Sequence, residues 1–274
     1  MYYLLTGTNG LIGGQLKKVV EKEYPVIQVN KDFVDGSLPI FKSTNSTMSF
    51  NLSNLVRDSL GVYHNGAMAD TSDFSADVMY YNYYFTKLLV DSCYRYNKPM
   101  VFASTQMVVG REGLGYPENI YGWSKVACED YGMLKSKDVF KFIALRYTNV
   151  YGPGEEHKGK TASLAYQAFR DKKISLWNAQ RDFVYVNDVV NANIHAMNQV
   201  SESGIYWVGS GKSEKAYNFI RGMGDDIDII IRKDDPPAWF QWKTWANPRW
   251  FMSGWEPEYG ITEGTADYVK YLRG

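Results

Sequence analysis

Hydrophobic positions along this chain follow two spacings that alternate, and the alternation predicts most of the architecture. Short apolar runs occur at Tyr2-Tyr-Leu-Leu-Thr6, Val26-Ile-Gln-Val29, Val62-Tyr63, Met100-Val-Phe-Ala-Ser104, Phe142-Ile-Ala-Leu-Arg146 and Ile205-Tyr-Trp-Val208. Runs this short, rich in β-branched and aromatic residues, read as buried strands. Between them apolar residues recur at helical spacing, up to Val20 after the first run, then over about Val78 to Tyr96, Tyr121 to Lys135, Val189 to Met197 and Thr262 to Leu272. Strands alternating with helices predict an α/β fold built on a doubly wound parallel sheet of Rossmann-like type. Beyond Gly152-Pro153 the pattern loosens into loops and short helices.

Composition narrows the class. With 274 residues and 45% hydrophobic content the chain can bury a sizeable core. Thirty basic and thirty acidic residues give a formal net charge of zero, so there is no electrostatic case for nucleic acid or an anionic membrane as partner. A small-molecule enzyme fits better. The two cysteines, Cys93 and Cys128, sit in helical patterns among apolar neighbours and are expected to be buried free thiols rather than a disulfide or metal pair. No metal site is expected. No apolar run reaches the ~20 residues of a membrane helix, and the chain opens on a core strand, so neither a signal peptide nor a span is expected and the cytoplasm is the expected compartment.

The first strand runs directly into Gly7-Thr-Asn-Gly-Leu-Ile-Gly13-Gly14 and then a helix. Glycines at 7, 10 and 13 let the backbone turn sharply, approach a pyrophosphate and pack the new helix on the sheet, while the helix start offers unpaired N–H groups to phosphate. The alternative is an ordinary tight turn; the strand-turn-helix context favours a dinucleotide. The second strand ends at Asn30-Lys31-Asp32, where NAD-specific sites place a carboxylate on the ribose. Asn30 is not a carboxylate and Lys31 suits a 2′-phosphate, so NADP is preferred, with NAD left open through Asp32.

Tyr121-Gly-Trp-Ser-Lys125 puts a phenol and an ammonium on one helix face. A phenol near pKa ~10 is a poor base at neutral pH, and an adjacent ammonium is expected to bring it down. Because ligands in open parallel sheets sit beyond the carboxyl ends of the strands, the loops after Ala67, Ser104 and Tyr147 should line one cleft. His64 and His195 fall in strand and helix patterns and are expected to pack. The aromatic group Trp239, Phe240, Trp242, Trp245, Trp250 and Trp255 is likewise expected to pack within a smaller lobe rather than stack on a ligand.

Together these motifs resemble the extended short-chain dehydrogenase/reductase family of nucleotide-sugar enzymes: Thr6-Gly-Thr-Asn-Gly-Leu-Ile-Gly13, the strand end Ser104-Thr105, Tyr121 to Lys125, and Arg146-Tyr-Thr-Asn-Val-Tyr-Gly-Pro153. The resemblance covers nearly the whole chain. Within the family it is greatest to the heptose 6-epimerases, through Gly154-Glu-Glu-His-Lys-Gly-Lys-Thr-Ala-Ser163, Gln180-Arg-Asp-Phe-Val-Tyr-Val-Asn-Asp188 and Phe240-Gln-Trp-Lys-Thr244. It implies residues 1–150, with about 182–210 returning to them, as the dinucleotide-binding domain, and 151–181 with 211–274 as the substrate-binding lobe.

By the same resemblance Tyr121 is the catalytic acid/base, Lys125 its partner and a ligand of the nicotinamide ribose, and Thr105 a hydroxyl on the reacting oxygen. Lys158 is a second base serving the opposite face of a transient carbonyl, with a phosphate-binding or solvated lysine as the alternative. The cofactor set is Gly7, Gly10, Leu11, Ile12, Gly13, Asn30, Lys31, Asn51, Leu52, Asn65, Gly66, Ala67, Asn82, Tyr121, Lys125 and Val150. Asn149, Lys160, Gln167, Arg181 and Phe240, with Thr105, contact a nucleotide-diphosphate sugar. Arg181 is the diphosphate clamp, because a guanidinium pairs bidentately with phosphate, or else an ion-pair partner of Asp182 or Asp188. A homo-oligomer is implied too.

Two departures qualify the resemblance. Sugar dehydratases of the family carry an acid just after the catalytic threonine, where this chain has Gln106-Met107, so elimination lacks its acid. The stretches Trp177-Asn-Ala-Gln180 and Gly110 to Pro117 are shorter than in the heptose epimerases, which leaves the sugar open. The rivals to an epimerase working by oxidation and re-reduction are a 4-epimerase or ketoreductase using only Thr105, Tyr121 and Lys125, and a non-catalytic dinucleotide-binding scaffold.

Overall fold

The computed structural model describes residues 1–29, 46–111, 115–156, 163–237 and 240–274. Its first half runs β1 (Tyr2–Thr6), α1 (Leu11–Val20), β2 (Val26–Val29), α2 (Ser46–Asp58), β3 (Ser59–His64), α3 (Ala76–Tyr96), β4 (Met100–Thr105), α4 (Ile120–Ser136) and β5 (Phe142–Tyr147). There follow β6 (Asn149–Tyr151), α5 (Leu164–Asp171), β7 (Lys173–Leu176), β8 (Gln180–Arg181), β9 (Phe183–Tyr185), α6 (Val186–Asn198), β10 (Gly204–Val208), β11 (Glu214–Lys215), α7 (Ala216–Met223), β12 (Asp228–Ile231) and α8 (Ile261–Arg273).

Six strands form one parallel sheet in the order β2-β1-β3-β4-β5-β10. Its strands are apolar on both faces because both are covered, as parallel sheets require. Leu5, Tyr63, Val101, Ala103, Ile143 and Leu145 pack with Leu16 and Val20 of α1 and Val189, Ala192 and Ala196 of α6. Their chain neighbours Leu4, Val62, Met100, Phe102, Phe142 and Ala144 point the other way, onto Leu52 and Val56 of α2, Leu89 and Val90 of α3, and Cys128 of α4. Cys93 and Cys128 are both buried and free, as expected. A third cluster lies outside the sheet, where Phe183 stacks on Phe219 (centroids 3.7 Å apart) with Tyr151, Tyr185 and Tyr268 around them. It is flanked by the short pairings β7–β12, β8–β11 and β6–β9.

The chain winds outward from β1 to β2, then crosses back to β3, so the sheet reverses direction between β1 and β3. That reversal opens a crevice at the carboxyl edge.

Two local expectations change. Helix α2 is not visible in the hydrophobic pattern because Ser, Thr and Asn dilute it; among its described side chains the anchors are Leu52, Leu55 and Val56, spaced i, i+3, i+4. The tryptophans do not all pack. Trp255 is buried, but Trp242, Trp245 and Trp250 are 46%, 47% and 62% exposed. Trp245 is pinned through its indole N–H to the Gly211 carbonyl, and Trp242 meets Phe240 edge-on, so both keep a face in solvent. Trp239 lies outside the described residues.

Gly132 of α4 is where helix and sheet come closest: a Cβ there would sit 2.2–2.5 Å from three ring atoms of Phe142 on β5. Overpacking of about 1–3 kcal/mol outweighs the helix propensity gained from alanine, about 1 kcal/mol. Gly132→Ala is expected to lower the urea midpoint, and adding Phe142→Leu to restore part of the loss, so that a double-mutant cycle returns a favourable coupling.

Candidate active site

At the sheet reversal, Gly7 with φ +69° ends β1, and a Cβ on it would meet the Gly66 nitrogen at 2.6 Å and the Asn65 carbonyl at 2.7–2.8 Å. A Cβ on Gly13 would lie 2.3 Å from the Gly7 carbonyl oxygen. Only glycine permits both approaches. The turn closes through Gly10 N–H to the Gly7 carbonyl, and α1 then starts with no side-chain cap and no acid in its first turn.

Two adjoining cavities open over this turn. The larger, ≈ 740 Å³, is lined by Gly7, Gly10, Leu11, Ile12, Gly13, Asn65, Ala67, Thr105, Tyr121, Lys125 and Val150 of the expected site, together with Ala69, Asp70, Thr71 and Thr148. The smaller, ≈ 270 Å³, adds Gly66 and Asn82 to a shared wall of Gly7, Gly10, Asn65 and Ala67. The loops after β3, β4 and β5 therefore do meet in one cleft. Asn51 and Leu52 line neither cavity; Asn51 is exposed on α2 and Leu52 is in the core. Asn30, Lys31, Lys158 and Lys160 lie outside the described residues.

The residues present fit a dinucleotide. Both amide atoms of Asn65 are buried without a partner beside the glycine turn, and the start of α1 presents N–H groups where a phosphate would gain most. Asn82, in the second turn of α3, holds the loop that follows. It accepts from Met68 N–H at 2.8 Å, donates to the Met68 carbonyl at 2.9 Å, and donates to Ser124 on α4 at 2.9 Å.

His64 locks the base of the site. Gly66 N–H donates to the Thr6 hydroxyl, which bonds His64 Nδ1 at 2.6 Å. His64 Nε2 bonds the Thr86 hydroxyl at 2.9 Å, and that hydroxyl donates to the Asn82 carbonyl. This order assigns the proton to Nε2. Burial, then nearby Lys125, holds the imidazole well below its ordinary pKa, so it stays neutral.

Tyr121 and Lys125 come from the first turns of α4, which Asn119 caps by accepting from Gly122 N–H at 2.7 Å. Gly122 lets this turn press on the segment after β4, since a Cβ there would stand 2.7 Å from the Met107 carbonyl. These two residues bring Tyr121 to Thr105, and neither was singled out from the sequence, although an Asn one residue before an apolar helix start is a readable cap.

The electrostatics differ from the sequence expectation. Burial pushes the Tyr121 phenol up to about 12, with a hydrogen bond from Thr105 opposing it. Burial also brings Lys125 down to about 8. The ammonium does not lower the phenol in this arrangement, because Lys125 Nζ donates to the Ala103 carbonyl at 2.7 Å and lies 5.8 Å from the centre of the Tyr121 ring. Glu129, one turn beyond Lys125, is saturated by Ser104 and a bidentate Arg146.

Arg181 stands over the Phe240 ring at 4.7 Å. Burial lowers its guanidinium to about 10, and among the described residues it makes no ion pair. The carboxylates considered as its partners are engaged elsewhere: Asp182 accepts from Ser210, Gly211, Ala246 and Thr148, and Asp188 from Glu258 and Tyr259 backbone N–H groups. Asn149 donates to the Asp182 carbonyl and to Thr244. Gln167 is half-buried on α5. His195 bonds the Ser253 carbonyl.

A glycine-turned parallel sheet whose switch-point cavity also holds a Thr, Tyr and Lys set has the arrangement of a nicotinamide-dinucleotide enzyme of the short-chain dehydrogenase/reductase type. Residues 3–209 match the NAD dependent epimerase/dehydratase family, and the chain belongs to that family. It is 30% identical over 279 residues to an ADP-L-glycero-D-manno-heptose-6-epimerase of Pseudomonas aeruginosa, covering 88% of this chain and 82% of that one. The ADP-L-glycero-D-manno-heptose-6-epimerase of Helicobacter pylori superposes with a TM-score of 0.82 at 25% identity, over 100% of this chain and 96% of the other. The UDP-glucose 4-epimerase of Thermotoga maritima, solved with UDP-glucose, shares the fold at TM-score 0.81 and 21% identity, over 100% and 99% of the two chains. Among the described residues no helix is long and apolar enough to cross a membrane, and no cluster of metal-ligating side chains occurs.

The lowered Lys125 makes stability depend on pH. Its folded pKa of about 8 lies below the model-compound 10.5, so the stability it contributes is full above 10.5 and is lost as pH falls through 8. The unfolding free energy of the wild type, measured against Lys125→Met, is expected to rise between pH 8 and 10.5 by up to about 3 kcal/mol. A flat difference across that window would contradict the burial of a charged Lys125.

Proposed function

We propose that this chain is an NADP-dependent epimerase of a nucleotide-diphosphate sugar, acting by transient oxidation and re-reduction, with C6 of an ADP-heptose as the reacting centre. The observation that carries the reading is that Thr105, Tyr121 and Lys125 line the same cavity as the Gly7–Gly13 turn. Similarity to the two heptose epimerases supports the sugar, and Asn30-Lys31 at the end of β2 supports NADP over NAD.

Bound over the glycine turn, a dinucleotide would supply the hydride-accepting and hydride-returning chemistry that the reaction requires. Leu11, Ile12 and Gly13 at the start of α1 would hold its pyrophosphate, and Asn65 its neighbouring polar groups. Tyr121 exchanges the proton of the substrate hydroxyl, and Thr105 hydrogen-bonds the same oxygen. With its pKa near 12 the phenol keeps its proton at neutral pH, so the phenolate that would act as base is scarce. Transfer of the Lys125 ammonium from the Ala103 carbonyl toward the phenol stabilises phenolate and makes the first step accessible. Arg181, desolvated and without a carboxylate partner among the described residues, clamps the diphosphate beside Phe240. Lys158 delivers the proton on the face opposite Tyr121, so that reduction from the other side inverts the centre. The overall reaction is redox-neutral.

The test is conversion of ADP-D-glycero-D-manno-heptose to its C6 epimer, followed by NMR with protein loaded with NADP. Absence of inversion by the loaded protein refutes the heptose assignment. Tyr121→Phe is expected to lower kcat by about 10³-fold or more with NADP affinity retained, and Lys158→Met by about 10²-fold or more. Near-normal turnover in Lys158→Met would favour a 4-epimerase or ketoreductase working with the Thr, Tyr and Lys set alone.

A further inference from the structure

The loop that follows β3 carries a charge to which the proposed chemistry gives no task. Ala69, Asp70 and Thr71 line the larger cavity together with Thr105, Tyr121 and Lys125. Among the described residues of that wall, Asp70 is the one acid and Lys125 the one base. Asp70 Oδ1 accepts from the Ser72 N–H at 2.8 Å and from the Ser72 hydroxyl at 2.6 Å, and the Asp70 carbonyl accepts from the Asp73 N–H at 3.4 Å. Two residues earlier the backbone is fixed as well, because the Asn82 amide grips Met68 through both its N–H and its carbonyl. The loop is therefore held from both sides, with one oxygen of the carboxylate already spent.

The Ser72 hydroxyl, and then its N–H, hold the Asp70 carboxyl below the usual carboxylate range, so it is ionised at neutral pH. Both donors act on Oδ1; among the described residues Oδ2 takes no hydrogen bond and no ion pair. Asp70 is exposed as well as cavity-lining, so a ligand in the cavity reaches it without rearrangement of the loop. An anion on this wall repels phosphate and carboxylate alike and attracts hydrogen-bond donors. Arg181, the proposed diphosphate clamp, is not part of this lining, whereas Thr105 and Tyr121 are.

We infer that Asp70 is a specificity-determining residue: its free oxygen accepts a charge-assisted hydrogen bond from a hydroxyl of the sugar, and its charge turns away sugars that carry a carboxylate. The phosphates of the substrate have their cation at Arg181, outside this wall, which leaves the neutral, hydroxyl-rich portion to face Asp70. An ionised carboxylate accepts and never donates, so a hydroxyl gains a bond there, while an anionic group meets repulsion and acceptors facing acceptors. The inference rests on the proposed nucleotide-sugar substrate and adds which sugars the cleft takes, neutral polyols in preference to uronates.

The experiment measures calorimetric affinity of the NADP-loaded protein for ADP, for ADP-D-glycero-D-manno-heptose and for ADP-D-mannuronate, whose carboxylate stands where the heptose carries its C6 and C7 hydroxyls. Wild type, Asp70→Asn and Asp70→Ala are compared. Asparagine keeps an oxygen for Ser72, so the loop and the melting temperature are retained while the charge is removed. The ratio of heptose to mannuronate affinity is expected to fall about 10-fold or more in both variants, the worth of a hydrogen bond to a charged group, with ADP and NADP affinities unchanged. An unchanged ratio would overturn the inference. Loss of ADP or NADP affinity in place of a change in the ratio would seat the carboxylate beside a nucleotide and overturn it too. Binding is read without turnover, so Asp70-dependent selection with no inversion at C6 defeats the epimerase reading alone, and inversion at C6 with unchanged selection defeats only this inference. A wild type that binds neither sugar nucleotide defeats both.

Discussion

The close approach of two backbone segments at the reversal of the sheet is the constraint on which the remaining site depends. Gly7 and Gly66 touch with no room for a side chain between them, and the Thr6 hydroxyl bridges the two by accepting from Gly66 and bonding His64. His64 carries the tie onward to Thr86 on α3, and Asn82 one turn earlier carries it to Ser124 on α4. The helix that bears Tyr121 and Lys125 is therefore referenced to the glycine turn through a continuous set of buried hydrogen bonds. Such a set is rigid because each member left without its partner would face the full cost of desolvation.

Charge is distributed unevenly across this frame. Buried carboxylates are satisfied: Glu129 by Ser104 and Arg146, Asp182 by donors from three backbone groups and two hydroxyls. Among the described residues, Lys125 and Arg181 have no such carboxylate partner. Lys125 has a carbonyl and two aromatic faces for company, and Arg181 an aromatic face and the Gln180 carbonyl. Both are shifted toward neutrality by burial. A desolvated cation without a counterion attracts anionic groups more strongly than one already paired.

Much of this was legible in the sequence, for physical reasons that can be named. Alternating core residues in β1, β4 and β5 are fully apolar, so the covered parallel sheet follows from the strands themselves. The glycine turn and the Tyr121–Lys125 spacing encode geometry in residue type. What could not be read depends on tertiary context. Among its described side chains helix α2 sets its anchors amid polar residues; the phenol's pKa depends on where Lys125 Nζ bonds; and the exposure of Trp242, Trp245 and Trp250 follows from loop contacts that no periodicity records.

Asp182 sits immediately after Arg181 and gathers the 148, 210–211 and 246 regions onto one carboxylate. Burial raises its pKa while those donors oppose the shift. Segments remote in sequence thus share a single fastening, and releasing any of them loosens the others. The loops that would recognise a sugar are free to change length between such tethers, so the recognition surface can diverge while the knot beneath it keeps the guanidinium in register with the strand ends.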